Sequence, residues 1–357
     1  MFGTATQSQE IIRIATFHTG LKRAGPGLLL RDILKGDTQT TAVLKVIGIA
    51  DPDIVLLTRF DFDLGNHALL AFADLLAKSG VDYPYLFALA PNSGVGTGLD
   101  LDHDGYTGGA RDKQGYGDFA GHGGMAIMSR FPIQVDEVRD FSSMLWRDFP
   151  GARLPKWQSD NTQNTEIQRL SSVGHWDVPV LLPDGSLLHL LAFHATTPAF
   201  DGPEDRNGLR NHDETMFWLR YLEGALPIKP PTERFVVLGD ANLDPVDGEG
   251  KHQAIRALLN SGYVQDPEPG SSIATKATFD QGGVNAHHRG DPSLDTADWS
   301  DKDGPGNLRV DYVLPSFDQH VLNAGVEWPA IADLDALLKE RGSSVSWHGL
   351  VWVDIGR

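Results

Sequence analysis

The sequence predicts one α/β domain, built from two packed sheets with helices on the outside. Three observations carry that expectation. Short apolar runs recur along the chain and end in turn residues, as buried strands do. Helical patterns fall between some of these runs rather than being segregated from them. No linker, internal repeat or long low-complexity tract divides the 357 residues. A single domain over residues 11–355 is therefore expected, preceded by a flexible segment over 1–10.

Residues 11–17 alternate well enough for a strand, 42–50 read as a helix, and 53–57 (Asp-Ile-Val-Leu-Leu) as the next buried strand. Residues 66–79 form a helical pattern with Leu69, Leu70, Phe72, Ala73 and Leu76 on its apolar side. A short strand over 125–128 precedes Ser129-Arg130-Phe131-Pro132. Segments 176–182 and 187–193 flank Pro183-Asp184-Gly185-Ser186, a hairpin turn by composition. A helix is expected over 211–222, a buried strand over 235–238, and late strands over 309–314 and 350–353. Two long polar segments remain, 91–124 and about 268–306. Loops of that length in a compact domain are usually functional or mobile.

The formal net charge of -18 sets 30 basic against 48 acidic residues. A wide face for phosphate backbones needs Lys and Arg, so long nucleic acid is not an expected partner. A small phosphoester or another anion fits better. The chain has no Cys, which excludes disulfides, thiolate metal sites and a Cys nucleophile. Residues 1–10 lack the apolar core of a signal peptide, so the protein is expected either in the cytoplasm or after removal of a signal. No apolar run is long enough for a transmembrane helix, and no membrane partner is expected.

The run Phe235-Val236-Val237-Leu238-Gly239-Asp240-Ala241-Asn242 is a buried strand ending in a carboxylate and a carboxamide two residues apart. Strand periodicity would put both on one face, where they can orient a water, a metal or a phosphoryl oxygen; a simple turn is the plainer reading. His194 ends an apolar strand and is placed to act as acid, base or donor, or to be a hydrogen-bonded structural histidine. His348, just before the last strand, is a candidate general base or a surface histidine. Arg309 and Asp311 would share a face; Asp311 either holds a histidine in one tautomer or forms an ion pair within the sheet. Asp100, Asp102, Asp104 and Gly105 match the start of a calcium loop, although Arg111 stands where its last glutamate belongs; a solvated acidic loop is the alternative. The polar stretch 201–213 reads as a capped helix start at the rim of the His194 pocket.

Together these pieces resemble the endonuclease/exonuclease/phosphatase superfamily. The resemblance rests on ordered segments: Ala15-Thr16-Phe17-His18, Leu56-Leu57-Thr58-Arg59-Phe60-Asp61, Gly123 to Pro132, Phe193-His194, Gly239-Asp240-Ala241-Asn242, Arg309 to Val313, and Ser346-Trp347-His348. It implies a four-layer α/β sandwich, two packed and mainly antiparallel sheets flanked by helices, with the site at one end of the sheets. It also implies metal-assisted attack of water on a phosphoester. By position, Asp240 and Asn242 would orient the nucleophile and a phosphoryl oxygen, His194 would stabilise developing charge, and His348 would be the general base. Family habit suggests a periplasmic or secreted protein.

Three positions depart from the family pattern. His18 stands for its first Asn, Arg59 for its metal-binding Glu, and Trp347 for the Asp of its terminal pair. Magnesium, which prefers hard oxygen ligands, should bind poorly at the usual place. Three accounts follow. Arg59 replaces the charge of the metal and, with His18 and Asp311, helps to bind substrate. Alternatively, His18, Asp240 and His348 hold zinc, manganese or iron, with Asp61 and Asp63 as further oxygen donors if the second strand continues. In the third account the pocket binds an anion or runs a different, non-phosphate reaction.

Overall fold

The computed structural model describes residues 11–102, 104–156, 166–328 and 347–356. The expected flexible segment over 1–10, and Ser346 of the last motif, lie outside these residues. Thirteen strands are described: β1 (Ile11–His18), β2 (Ile54–Phe60), β3 (Tyr85–Phe87), β4 (Gly124–Ser129), β5 (Arg139–Asp140), β6 (Gly174–Leu181), β7 (Leu187–His194), β8 (Phe235–Asp240), β9 (Ala297–Asp298), β10 (Asn307–Leu308), β11 (Asp311–Pro315), β12 (His320–Glu327) and β13 (Leu350–Gly356). The helices are α1 (Leu28–Leu34), α2 (Thr38–Ala50), α3 (His67–Lys78), α4 (Arg206–Leu222), α5 (Gln253–Leu259) and α6 (Ser272–Gln281). Among the described residues no helix is long and apolar enough to cross a membrane.

Two sheets are stacked, a six-stranded one in the order β12-β13-β1-β2-β4-β3 and a five-stranded one in the order β11-β8-β7-β6-β5. Each is antiparallel except at one central pair, β1 with β2 and β7 with β8. The side chains explain the layering, because residues of alternate parity face opposite sides. On β2, Ile54 and Leu56 join the core between the sheets, where Ile12 and Ile14 of β1 meet Trp176, Val178, Leu190, Val236 and Leu238 of the facing sheet. Val55 and Leu57 point the other way and pack with Val43, Ile47, Leu69 and Phe72 of α2 and α3. The outer face of the second sheet, with Leu191, Phe193 and Val237, is covered by Phe217, Trp218 and Ile255 of α4 and α5. The arrangement is a four-layer α/β sandwich.

The apolar periodicity located most of these elements, and the misses have local causes. The strand expected from Arg309 starts instead at Asp311. Asp244 accepts from the Arg309 amide, which pulls that residue out of the ladder. Its guanidinium then turns to Asp266 at 2.5 Å, away from Asp311. The long polar segment near 268–306 contains α6, whose start is capped by Ser271. The second strand stops at Phe60, so Asp61 and Asp63 do not line a sheet face. Asp61 accepts from the amides of Gly123 and Arg23, and Asp63 caps α3 at His67 and Ala68.

Gly239 is a fixed point of this architecture. Its φ is 142°, and a Cβ there would lie 1.9 Å from the Phe193 carbonyl oxygen of the adjacent parallel strand. Gly185, in the β6–β7 hairpin, also has positive φ (83°) but open space around it. Gly185→Ala should therefore cost only the backbone penalty, about 1–2 kcal/mol. Gly239→Ala should cost well over about 3 kcal/mol or prevent folding. Chemical denaturation of the two variants checks this; equal losses would show that the β7–β8 approach does not constrain the fold.

Candidate active site

The strand register brings together three residues from distant parts of the sequence. His194 is paired with Asp240 across β7–β8, and Asp240 with Asp311 across β11–β8. On these strands the same parity that sends Ala192, Leu238 and Val313 into the core between the sheets sends His194, Asp240 and Asp311 to its end. Asp240 thus sits between an imidazole and a second carboxylate, with Nε2 of His194 3.4 Å from its Oδ2. All three are buried. From the facing sheet, β1 contributes His18 by the same rule.

His348 completes the cluster through a tertiary contact. Residues 347–349 run along β9: the Trp347 carbonyl accepts from Asp298, Gly349 donates to Thr296, and His348 bridges Ala297. This sets Nδ1 of His348 2.7 Å from Oδ2 of Asp311. The Thr296 hydroxyl donates to the same oxygen and accepts from the amides of Val310 and Asp311. His18 stacks on His348 with ring centroids 3.9 Å apart and 7° between planes, and meets His194 edge-on at 6.0 Å. Asp311 therefore pairs with a histidine rather than with Arg309. Trp347 is exposed at the surface.

Asn242 is not on the strand face. The strand ends at Asp240 and Asn242 is left-handed (φ 48°). Its amide donates to Oδ1 of Asp240, and its side-chain NH2 donates to the Ala195 carbonyl. That NH2 group ties the ends of β7 and β8 together, so Asn242 orients Asp240 and the loop after His194. Arg59 is also re-aimed: the β2–β4 register shifts between Thr58 and Phe60, and Arg59 takes φ 54°. The bulge turns a side chain that parity would send toward the helices into the cavity beside His194. Among the described residues no carboxylate lies within ion-pair distance of its guanidinium.

Electrostatics separate the histidines. Burial pushes His194 well below the usual value, and Arg59 adds to the effect. His18 is lowered in the same way, by burial and then by His348 and Arg59. Burial would lower His348 too, but Asp311 outweighs it and the net shift is upward. Asp240 is pushed up to about 7, first by burial and then by Asp311. Arg59 is lowered by burial, with Asp240 acting in the opposite sense.

The donors can hold a divalent ion. Ligand atoms of His18, His194 and Asp240, and those of Asp240, Asp311 and His348, lie within 4.8 Å of one another. Oδ2 of Asp240, Oδ1 of Asp311 and Nδ1 of His194 are buried without a hydrogen-bond partner. Unsatisfied buried carboxylate oxygens call for a cation or a proton. Imidazoles mixed with carboxylates suit zinc, manganese or iron. Asp100, Asp102 and Asp104 also converge within 4.8 Å. There, Asp100 accepts from the Asp104 and Gly105 amides, and Asp104 from Tyr106, so these two close their own loop, while Oδ1 of Asp102 is buried without a hydrogen-bond partner.

Sequence reasoning missed the scaffold behind the pocket. Arg210, Asn211 and Glu214 of α4 are buried. Arg210 donates to the carbonyls of Gln114, Arg169, Leu170 and Ser171. Asn211 donates to Thr196 and Ala241, and Glu214 accepts from Ser172 and Thr196. The stretch 201–213 was legible as a pocket rim, and Arg206, Asn207 and Arg210 do line the cavity, but polar residues on a helix ordinarily face water and only the Arg210–Glu214 spacing of one helical turn hinted at a buried role. Thr296 carried no signal at all.

The sandwich, with a histidine–carboxylate cluster at the end of its sheets, defines the class of phosphoester hydrolases of this architecture. The chain belongs to the endonuclease/exonuclease/phosphatase family, whose sequence profile matches residues 24–344. No curated protein matches it significantly. Among solved structures it is similar to an endonuclease/exonuclease/phosphatase from Beutenbergia cavernae (19% identity, TM-score 0.52, covering 97% of this chain and 71% of that one). It is also similar to a family protein from Bacteroides thetaiotaomicron (14% identity, TM-score 0.50, 98% of each chain). A third is a doubly substituted beta toxin from Staphylococcus aureus with bound magnesium ions (12% identity, TM-score 0.51, 96% of this chain and 99% of that one). These likenesses establish the fold.

The opposite shifts of the histidines are measurable. In metal-free protein, NMR titration should place His348 above its ordinary value near 6.5 and His194 below it. In Asp311→Asn the carboxylate that raises His348 is gone and burial remains, so its titration should move down, below the ordinary value. A His348 that titrates low in the unsubstituted protein would refute the pairing with Asp311.

Proposed function

We propose that the protein hydrolyses a phosphoester of a small molecule at the His194–Asp240–Asp311–His348 cluster. The observation that supports this most is that His194, which the strand register ties to Asp240 and Asp311, lines one cavity with Arg59, a guanidinium with no ion pair among the described residues. Arg59 binds and orients the phosphoryl oxygens, a role its planar fork suits. His194, kept neutral by its surroundings, donates a hydrogen bond to a phosphoryl oxygen. Asp311 holds His348 by Nδ1 and fixes its ring, and His348 takes the proton of the attacking water. Asp240, steadied by the Asn242 amide, orients that water. His18 supports the His348 ring by stacking and offers a further nitrogen to a metal.

A divalent ion bound by His18, His194 and Asp240, with Asp311 and His348 beside them, would supply Lewis-acid polarisation of the phosphoryl oxygen. Zinc, manganese or iron is the expected kind, and calcium at Asp100, Asp102 and Asp104 would be structural. The reading predicts substrates that are small anions, with no role for long nucleic acid, and export from the cytoplasm by analogy of family.

The protein should release p-nitrophenol from p-nitrophenyl phosphate or its bis ester. His194→Ala and Asp240→Ala should each lower kcat/KM by about a hundredfold or more. Turnover that survives both substitutions would rule out this site. Elemental analysis of purified protein should find a transition metal near one equivalent, and a chelator should remove it together with activity. Full activity after complete chelation would leave Arg59, without a metal, as the source of positive charge.

His348 must be neutral to accept a proton. Activity should therefore rise with pH through a value above 6.5, where the raised titration of His348 lies. The Asp311→Asn variant should move that limb to lower pH, read from kcat/KM profiles.

A further inference from the structure

The cavity that opens beside His194 has a volume of about 400 Å³. Its lining is unusual for a chain of net charge -18. Arg59, Arg111, Lys113, Arg206 and Arg210 all contribute, and no carboxylate does. Among the described residues none of these five forms an ion pair within 4 Å. Arg210 is committed to four backbone carbonyls and serves the scaffold. The other four have no such partner among the described residues. One guanidinium nitrogen of Arg206 is buried with no hydrogen bond. Glu204, Asp201 and Asp102 are near enough to favour its charge, but burial dominates and Arg111 adds repulsion. Arg206 also stands in the first turn of α4, where helix amides favour an anion.

The cations come from separate elements, and their nearest charges differ: Arg59 acts on His194, whereas Arg206 is repelled by Arg111. Arg59 comes from the bulge at the end of β2 and belongs with His194. Arg111 and Lys113 come from the long polar segment after β3, and Arg206 from the start of α4. A single phosphoryl group at Arg59 leaves Arg111, Lys113 and Arg206 unused. Clustered unpaired cations repel one another, a cost that an anion among them offsets.

We propose that this cavity binds a second phosphate group, so that the substrate is a small bisphosphorylated molecule with one phosphate at Arg59 and His194 and the other among Arg111, Lys113 and Arg206. This rests on the phosphoester reading of the neighbouring cluster and narrows it. The cavity is large enough for a compound of sugar size. Its charge also answers a problem posed by the whole chain: an acidic protein repels polyanions, and a local cationic well captures a small one once it arrives. The hydrolytic step is the one already described; the second phosphate is a handle and loses no bond.

Phosphate release from glucose 1,6-bisphosphate and glucose 1-phosphate, compared at matched ionic strength, tests the idea. The bisphosphate should be preferred at least about tenfold in kcat/KM, mainly through a lower KM. The double substitution Arg111→Gln, Arg206→Gln should lower kcat/KM for the bisphosphate at least about tenfold more than for p-nitrophenyl phosphate. Equal kcat/KM for the two sugar phosphates, or equal losses on all substrates, would overturn the second site while leaving the hydrolase reading intact. If no phosphoester turns over, calorimetry with inorganic pyrophosphate decides the site independently. Micromolar binding that is lost in the double variant supports it, and absence of binding refutes it. Should the double variant fail to fold, Lys113→Gln, at a half-buried loop position, is read in the same assays.

Discussion

The alignment of β7, β8 and β11 is the constraint on which the site depends. Its register places His194, Asp240 and Asp311 side by side on one face. Two carboxylates and an imidazole in a buried row are electrostatically expensive, and the cost is visible in the upward shift of Asp240. Such a row persists only because the surrounding ladder fixes its members. Gly239 is what lets β8 approach β7 closely enough to do so: any side chain there would meet the Phe193 carbonyl. The glycine and aspartate of the Gly-Asp-Ala-Asn segment are therefore one device, the first permitting the approach and the second using it.

Beside this row lie a stack of imidazoles and a guanidinium. His18 lies on His348, and His348 is bound to Asp311, which is bound in turn to Thr296. Arg59 reaches the cavity because a bulge with positive φ diverts it from the helix-facing side of β2. Imidazoles are nitrogen donors for a divalent ion, while the guanidinium offers charge without any ion.

Behind the pocket, α4 acts as a clamp. Its Arg210, Asn211 and Glu214 hold the loops after β7 and β8, and the segment leading into β6, by hydrogen bonds to backbone groups. The pocket walls are thereby attached to a helix whose other face is packed on the second sheet through Phe217, Trp218 and Tyr221.

The layered α/β fold was legible in the sequence because apolar periodicity encodes which face of each strand is buried, and both sheets are buried on both faces. His194, Asp240 and His348 were legible as the polar tips of apolar strands. Asp311 was legible as a residue that could hold a histidine, but which histidine was not. Sequence could not show that Asn242 leaves the strand face, that Arg309 turns to Asp266, or that Asp61 and Asp63 bind amides instead of facing the site. Each of these depends on a backbone turn or a bulge of one residue, which periodicity does not carry. The stacking of His18 on His348, the clamp on α4 and the cationic cavity were decided only by tertiary structure. They join residues far apart in sequence through packing and charge, and such contacts leave no local pattern for a sequence to display.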